Sequence, residues 1–214
     1  ESLSKTVLRT KLGVKTFSVS EISTNLLASF LLIKVLNKHK ISWSITGGTL
    51  LGLIRHNGLI SWDDDIDICV DIEDIGKLYC LRKELQNKKY KLFNIAFDDA
   101  TLIKLKNNKV WIDIFFIEDN KHISQYKYTN SRWDYKENEY KPFKEGLFGD
   151  LKVYIPNKSK EYLDRIYPKW DTHAVIQNHS TAKKTISKKY SLNKNLLKPY
   201  LPTKMLCVPI EENK

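Results

Sequence analysis

Hydrophobic positions along the chain change from helical spacing to the alternation that is typical of strands. Between residues 19 and 37 the apolar positions lie three or four residues apart, which predicts an amphipathic helix. Alternation follows at 41–45 and again at 65–70, which predicts two strands. The short apolar segment 49–55 between these strands predicts a helical turn.

The residues beyond the second strand continue this exchange of helices and strands. The pattern predicts a helix at 72–86 and three strands at 90–97, 101–106 and 110–117. It then predicts a further strand at 151–155 and a short helix at 159–167. Asn107 and Asn108 form a turn signal between two of these strands, which predicts a hairpin. A chain of 214 residues with this pattern is long enough to bury a core of its own.

Composition divides the chain into three parts. Residues 1–17 are basic and weakly patterned, and we interpret them as an N-terminal arm. Residues 18–170 carry the predicted elements and are expected to form the folded domain. Residues 171–214 are rich in Lys, Asn, Ser and Thr and contain three prolines, which predicts a Lys-rich extension that is helical or irregular.

The chain is strongly basic, with a formal net charge of +11. Of its 36 Lys and Arg residues only five are Arg, so the excess is almost entirely Lys. Lysine carries a point charge and lacks the planar fork that recognises phosphates or bases in a fixed geometry. The charge therefore favours a solubilising or loosely polyanion-attracting surface over specific nucleic-acid recognition.

Cysteine usage and hydropathy exclude several classes of protein. The three cysteines are widely spaced and form no pair at zinc-binding distance, so a disulfide framework or a zinc site is not expected. The longest apolar stretch, 26–36, is interrupted by Ser29 and Lys34 and is much shorter than the roughly 20 residues that span a bilayer. We expect a cytoplasmic location from these residues; a targeting or anchor segment before Glu1 would change that expectation.

Three aspartates on predicted strands are the strongest candidates for chemistry. Asp65 and Asp67 are two residues apart on one strand, so their side chains project from the same face. Asp113 lies between Ile112 and Ile114 on a later strand, where burying an unpaired carboxylate would be costly. If the two strands are neighbours, three carboxylates meet on one surface.

Three such carboxylates predict a binding site for divalent cations. Carboxylates at close range repel one another unless a cation lies between them. Ligands that are all oxygen suit Mg²⁺ or Mn²⁺, and two such ions about 4 Å apart can stabilise both the attacking and the leaving oxygen of a phosphoryl displacement. We therefore expect two ions, with Asp65, Asp67 and Asp113 as ligands and catalytic residues.

A pair of glycines precedes the first aspartates. Gly47 and Gly48 follow a predicted strand, and Thr49 begins the helical turn. Without side chains, the backbone N–H groups of glycines can approach a phosphate closely, and the start of a helix adds a favourable dipole. The glycine pair and the carboxylates together predict transfer of a phosphorus-linked group from a nucleotide-like donor.

Spacing excludes other motifs that use the same residue types. An EF-hand loop beginning at Asp63 would need Gly where Ile68 stands and Glu where Asp74 stands. The glycine pair fits neither a dinucleotide fingerprint nor a phosphate-binding loop of the Walker type. An Asp-rich run such as 63–65 can also be a solvated turn, so the functional interpretation depends on its conjunction with the glycine pair and Asp113.

Residues 47–67, which read GGTLLGLIRHNGLISWDDDID, strongly resemble the LicD family. That family includes bacterial phosphocholine transferases, is related to the fukutin-type ribitol-phosphate transferases, and belongs to the nucleotidyltransferase-fold superfamily. The similarity continues through 111–117, 153–156, 162–163 and 167–170, and covers about residues 20 to 170. Where the family usually has Pro before the tryptophan of the first motif, this chain has Ser61, a turn position.

The resemblance implies roles for individual residues. Asp65 and Asp67 would be metal ligands, and Asp113 a third ligand or the base that takes the proton of the acceptor hydroxyl. The donor phosphate would be bound by Gly47, Gly48, Thr49, Arg55 and Lys104. Asp63 and Asp64 would orient the metal-binding loop. Two alternatives stay open: Arg55 could instead form a salt bridge to Asp63 or Asp64, and Lys104 could belong to a solvated strand face.

The resemblance also implies a fold and a reaction. We expect an α/β nucleotidyltransferase-like fold, with a short, mixed, twisted sheet flanked by helices, over residues 18–170. The implied reaction is metal-dependent transfer of a phospho-substituent, such as phosphocholine or ribitol phosphate, from a CDP-activated donor to a hydroxyl of a glycan. Two alternatives remain: transfer of a nucleotide to RNA, a small molecule or a protein, and a non-catalytic binding module on the same fold.

Overall fold

The computed structural model describes most of the chain between residues 31 and 191. The described ranges are 31–60, 63, 65–87, 91–93, 102–107, 110–122, 132–148, 151–177 and 187–191. The predicted N-terminal arm and Asp64 lie outside these residues, as do the first part of the predicted helix 19–37 and the Asn108 position of the predicted hairpin turn.

The main sheet has six strands and is mixed, as the sequence predicted. Its strands are β1 Trp43–Ile45, β2 Asp65–Asp71, β3 Lys91–Phe93, β4 Leu102–Asn107, β5 Val110–Glu118 and β6 Lys121–His122. Their order is β1-β2-β5-β4-β3, with β6 paired to β5. Within this sheet β2 and β5 are parallel, whereas the other described pairs are antiparallel.

Helices pack on this sheet and interrupt the chain between its strands. The described helices are α1 at 31–38, α2 Gly47–His56, α3 Ile75–Cys80, α4 Arg82–Asn87 and α5 Ser159–Ile166. The predicted helical turn at 49–55 is a complete helix of ten residues, α2. The predicted helix 72–86 was wrong in its continuity, because a 3₁₀ turn at Ile72–Asp74 precedes α3 and Leu81 separates α3 from α4.

Two small antiparallel sheets complete the described fold. β7 Lys144–Phe148 pairs with β8 Leu151–Ile155. In the C-terminal extension, β9 His173–Gln177 pairs with β10 Ser187–Ser191. The expectation that residues 171–214 are helical or irregular was therefore wrong for these two segments. The alternation of apolar and polar residues in His173–Gln177 is too short for the pattern alone to distinguish a strand from a loop.

The core lies on both sides of β2. Ile66 and Ile68 are 3% and 1% exposed and belong to the hydrophobic core on one side. On the other side Cys69 is completely buried, because Tyr135, Tyr140 and Tyr162 form a stack of rings with centroids 4.2 and 4.8 Å apart on that side. The Asp65–Asp67 end of the same face carries polar side chains instead, and this end contains the candidate site.

Candidate active site

Asp67 and Asp113 stand in register on the two parallel strands. The pairing of β2 with β5 sets Asp65 opposite Trp111 and Asp67 opposite Asp113. Residues in register on adjacent parallel strands project from the same face, with their backbones about 4.8 Å apart. Asp113 is 6% exposed, and Asp65 and Asp67 are partly buried. The structure therefore brings these three carboxylates to one face of the sheet, as the sequence analysis expected.

The glycine pair lies directly against two carboxylates. Gly47 has a φ of +54°, and a Cβ there would come within 2.4 Å of Asp67 Oδ2. A Cβ on Gly48 would come within 2.2 Å of Asp63 Oδ2. Both distances are shorter than a real Cβ contact, so a side chain at either position would displace the neighbouring carboxylate, and at Gly47 the positive φ favours glycine as well. The absence of side chains lets the carboxylates of Asp63 and Asp67 reach the N-terminus of α2.

Hydrogen bonds fix Asp67 at this helix terminus. The backbone N–H of Gly48 donates to Asp67 Oδ2 at 2.8 Å, and the backbone N–H of Asp67 donates to Thr49 Oγ1 at 2.8 Å. The N–H of Thr46, which precedes the glycines, donates to the carbonyl of Asp67 at 3.1 Å. In this structure the Gly48 donor that was expected to bind phosphate is used by Asp67, while Gly47 and Thr49 flank it.

Burial and neighbouring charges raise the pKa of the Asp67 carboxyl well above its ordinary value. Burial is the largest cause, and the negative charges of Asp65, Asp63 and Asp113 follow. The hydrogen bond from the Gly48 N–H acts in the opposite direction and is the smallest of these effects. Four carboxylates thus share one electrostatic environment, in which ionising all of them is unfavourable without a positive charge.

Arg55 supplies one positive charge beside this cluster. It is the ninth residue of α2, and burial lowers the pKa of its guanidinium to about 10, although the neighbouring Asp63 raises it. The alternative in which Arg55 interacts with Asp63 is therefore supported by the electrostatics. Tyr167, just after α5, lies in the same environment: burial raises the pKa of its hydroxyl, and the charges of Asp67 and Asp63 raise it further.

A buried set of hydroxyl groups lies behind the glycine pair. Thr46 Oγ1 and the Tyr135 hydroxyl are 2.8 Å apart, and the Tyr162 hydroxyl is 3.5 Å from the same oxygen. Thr46 and Tyr135 are 2% and 5% exposed. Because the carbonyl of Thr46 also accepts the first hydrogen bond of α2, from Leu50 at 2.9 Å, this contact fixes the start of the helix. It thereby fixes the position of the glycines relative to Asp67.

The donor set fits a hard divalent cation in its chemistry. The carboxylates are oxygen ligands on one face, and the raised pKa of Asp67 shows that a nearby positive charge would be stabilising. In the described ranges, no three His, Cys, Asp or Glu side chains are already arranged around a common ion position. Asp67 Oδ2 accepts the hydrogen bond from the Gly48 N–H, so the Asp67 side chain would have to rotate before it could bind an ion together with the other carboxylates.

The structure places some predicted residues at the site and leaves others undescribed. Asp63, the glycine pair and Thr49 lie next to Asp67, Arg55 lies beside Asp63, and Lys104 occupies the register position opposite Asp113 on β4. Asp64 and the side chain of Lys104 lie outside the described part. The sequence analysis gave no site role to Tyr167 and missed Tyr135, because tyrosines about 70 to 100 residues from Asp65 and Asp67 resemble ordinary core residues. Only tertiary contacts identify them.

A cavity of about 590 Å³ lies elsewhere, at the opposite end of β2. Asp71, Tyr140 and Lys141 are among its lining residues. Asp71 is four residues from Asp67, or about 13 Å along the strand. The buried Cys69 and its tyrosine cover lie between the two. The cavity is therefore separate from the carboxylate site.

A family comparison covers the part of the chain that carries the candidate site. Residues 40–158 match the family described as LicD/FKTN/FKRP, nucleotidyltransferase domain, and this range contains every aspartate of the site. The chain belongs to the LicD family of transferases and has the nucleotidyltransferase-like fold. The predicted family and fold are thus confirmed.

Individual relatives extend the comparison. The uncharacterized protein RP689 of Rickettsia prowazekii is 33% identical over 84% of this chain and 68% of its own length. Lipopolysaccharide cholinephosphotransferase LicD of Haemophilus influenzae is 64% identical over 31 residues, which are 14% of this chain and 12% of that protein. The lincosamide antibiotic adenylyltransferase LnuA has a TM-score of 0.44 and 17% identity, over 68% of this chain and 87% of its own.

None of the helices in the described ranges has the length and apolarity that crossing a membrane requires.

Proposed function

We propose that this protein transfers a phospho-substituent from a CDP-activated donor to a hydroxyl group of a glycan, in a reaction that depends on Mg²⁺ or Mn²⁺. The observation that carries the proposal is the register of Asp67 with Asp113 on adjacent parallel strands, beside the N-terminus of α2. Membership of the LicD family supports the transferase class, and the arrangement of anionic side chains supports the metal requirement.

Asp65, Asp67 and Asp113 would hold the two cations that the sequence analysis expected. When bound, such ions neutralise the donor phosphates and the charge that develops on the leaving nucleotide. Asp63 would support the loop that carries Asp65. Asp64, in the same loop, would share this role. Asp113 would either complete the ion site or accept the proton of the acceptor hydroxyl. Its position between Ile112 and Ile114, which are both fully buried, makes its orientation rigid in either role.

The N-terminal end of α2 would bind the donor phosphate. Gly47, Gly48 and Thr49 present backbone N–H groups and a hydroxyl in a positive helix dipole. The Gly48 N–H becomes available to phosphate when Asp67 turns toward a cation, so that cation binding and donor binding would be coupled. Arg55 and Lys104 would add positive charge to the donor site. Most of the catalytic effect would come from positioning and charge neutralisation.

The transferred group would be phosphocholine or a ribitol phosphate. Phosphocholine agrees with the name of the Haemophilus relative, a cholinephosphotransferase. Ribitol phosphate agrees with the ribitol-phosphate transferases that residues 47–67 resemble, which the family's description also includes. The chain spans 68% of the length of its Rickettsia relative, so the donor, the acceptor and the partners of the whole protein are all part of this proposal.

The test is an activity assay on Asp67→Asn. Asparagine keeps the shape of the side chain and an oxygen that can accept from the Gly48 N–H, so this variant should fold. With CDP-choline or CDP-ribitol, a glycan acceptor and Mg²⁺ or Mn²⁺, we expect release of CMP to fall at least about a hundredfold, since several kcal/mol of charge stabilisation is removed. The exposed Asp119→Asn is the matched control and should keep full activity.

The products separate the proposal from its alternatives. Release of CMP with the head-group phosphate on the acceptor supports the proposal. Attachment of the nucleotide itself to the acceptor would identify a nucleotidyltransferase instead. Full turnover by Asp67→Asn would show that the assignment of Asp67 is wrong.

A further inference from the structure

Two of the four arginines that the structure describes belong to elements beside the carboxylate site, although the chain uses mostly lysine. Arg82 lies on the exposed surface of α4, and Arg165 of α5 is paired with Glu139. The other two belong to α2 and to the segment 132–135, which lies near the glycine pair. Because a guanidinium binds anions in a fixed, forked geometry and lysine does not, arginine at such positions points to recognition of a planar or tetrahedral anion.

The segment 132–135 is held in place at both ends. Arg165 of α5 donates to the carbonyl of Arg132 and to the carbonyl of Asp134, both at 2.8 Å. At the other end, the Tyr135 hydroxyl lies 2.8 Å from Thr46 Oγ1, next to the glycine pair. The backbone of Arg132 is therefore fixed relative to the N-terminus of α2 before any substrate arrives.

The side chain of Arg132 lies on an aromatic ring. Its Cζ atom is 4.9 Å from the centroid of the Trp133 ring, a distance typical of a cation–π contact. The Trp133 ring in turn meets Tyr167 edge to face at 5.6 Å. Arg132 is exposed, and in the part of the chain that the structure describes it forms no ion pair. A pre-positioned guanidinium is thus accessible from solvent.

Hydrogen bonds connect the residue next to Arg132 with the carboxylate site. The Tyr162 hydroxyl donates to the carbonyl of Trp133 at 3.3 Å and lies 3.5 Å from Thr46 Oγ1, and the backbone N–H of Thr46 donates to the carbonyl of Asp67 at 3.1 Å. Arg55, by contrast, is partly buried and lies beside Asp63. A diphosphate that approaches four carboxylates is repelled by them. Because Asp63 balances part of the charge of Arg55, binding the diphosphate requires a further positive charge.

We propose that Arg132, held on the Trp133 ring, binds a phosphate group of the nucleotide donor and is the second arginine of the donor site. This inference rests on the proposed function for the identity of the donor, but not for the presence of an anion site. Lysine should not replace Arg132, because its ammonium lacks both the fork and the planar surface that stacks on the indole.

The experiment is calorimetric titration with two probes, CDP and inorganic pyrophosphate, each with Mg²⁺ present. Arg132→Ala should weaken both about tenfold or more, which corresponds to the loss of one charge-assisted contact. Arg132→Lys should recover only a small part of this loss. Arg82→Ala removes an exposed arginine that is distant in the fold, and it should bind both probes as the wild type does. Thermal unfolding of each variant checks that the fold is intact.

The outcomes distinguish this inference from the proposed function. If the wild type binds pyrophosphate but not CDP, and Arg132→Ala loses pyrophosphate, the anion site is supported and the CDP donor is wrong. If Arg132→Ala binds both probes as tightly as Arg82→Ala does, or if the wild type binds neither, the inference is overturned. Full recovery by Arg132→Lys would contradict the role of the forked geometry.

Discussion

At the scale of single residues, the site depends on the space that two glycines leave empty. Gly47 and Gly48 adjoin the carboxylates of Asp67 and Asp63, which occupy the positions where side chains would otherwise begin. A sequence shows that a glycine pair permits a close approach, but it does not show what approaches. We expected a phosphate, whereas in this structure the nearest groups are carboxylates that face the helix N-terminus.

Alanine substitutions at the glycines test this account. Gly47→Ala should lower the free energy of unfolding by at least about 1–2 kcal/mol, because its φ of +54° strains any L-residue and its Cβ would meet Asp67. Gly48→Ala should displace Asp63 and reduce turnover. The control is Gly76→Ala in α3, where a Cβ meets nothing within 4 Å. That change should be neutral or stabilising by up to about 1 kcal/mol.

Chemical denaturation measures these three variants under one set of conditions. Equal stability of Gly47→Ala and Gly76→Ala would show that the close approach of Asp67 to the glycine is not a feature of the folded protein.

At the scale of elements, the parallel pair of strands determines the site. The alternation in β2 already predicted that Asp65 and Asp67 share a face, and this was correct because side-chain period is a local property. The register of Asp67 with Asp113 could not be predicted, since parallel strands are joined by long connections and no turn fixes their alignment. Only the assembled sheet shows that these two residues stand side by side.

The division of the predicted helix 72–86 has a tertiary cause as well. Asp74 accepts the backbone N–H of Ser42 at 2.6 Å and pairs with Lys77 at 2.5 Å. Its side chain therefore connects the 3₁₀ turn after β2 to the residue before β1, 32 positions earlier. Hydrophobic periodicity reports nothing about such a contact, and the pattern alone predicted one continuous helix.

Asp74→Ala should destabilise the protein in a pH-dependent manner. Burial raises the pKa of Asp74, but the hydrogen bonds from Lys77 and Ser42 outweigh it and lower the pKa below its usual value. The folded pKa is thus below the unfolded one, so the stabilisation is complete above the unfolded pKa of about 3.9 and is lost as the pH falls further. Near pH 7 we expect a loss of about 1–3 kcal/mol in the free energy of unfolding.

Urea denaturation at pH 7 and at pH 3 measures this difference. The neighbouring Glu73→Ala, at an exposed position, is the control and should change stability by less than about 0.5 kcal/mol. A difference between wild type and Asp74→Ala that is as large at pH 3 as at pH 7 would contradict the ionic origin of the contact.

At the scale of the whole molecule, distant segments assemble around the start of α2. Arg165 of α5 pairs with the buried Glu139 and holds the segment 132–135, whose Tyr135 contacts Thr46. These residues come from parts of the sequence about 30 to 120 positions apart. The family resemblance identified 162–163 and 167–170 as parts of a common pattern, but it did not include Arg165 and did not show that α5 supports the glycine pair.

Arg165→Met should therefore reduce both stability and activity. It leaves the Glu139 carboxylate, which is 5% exposed, without its arginine, and such a change typically costs about 3–5 kcal/mol. Lys160→Met, which removes the exposed pair with Asp164, should cost much less stability, because solvent screens that pair. Thermal unfolding compares the two, and equal losses would refute the supporting role of Arg165.

The central claim is that the carboxylates at positions 65, 67 and 113 bind a divalent cation that the reaction requires. Its most direct test is the binding of Mn²⁺, measured by electron paramagnetic resonance in the presence of CDP, for the wild type and for Asp113→Asn. We predict that the wild type binds Mn²⁺ and that the variant, which keeps the shape of the buried side chain, binds it at least about tenfold more weakly. Unchanged Mn²⁺ binding by Asp113→Asn, or none by the wild type, would contradict the account.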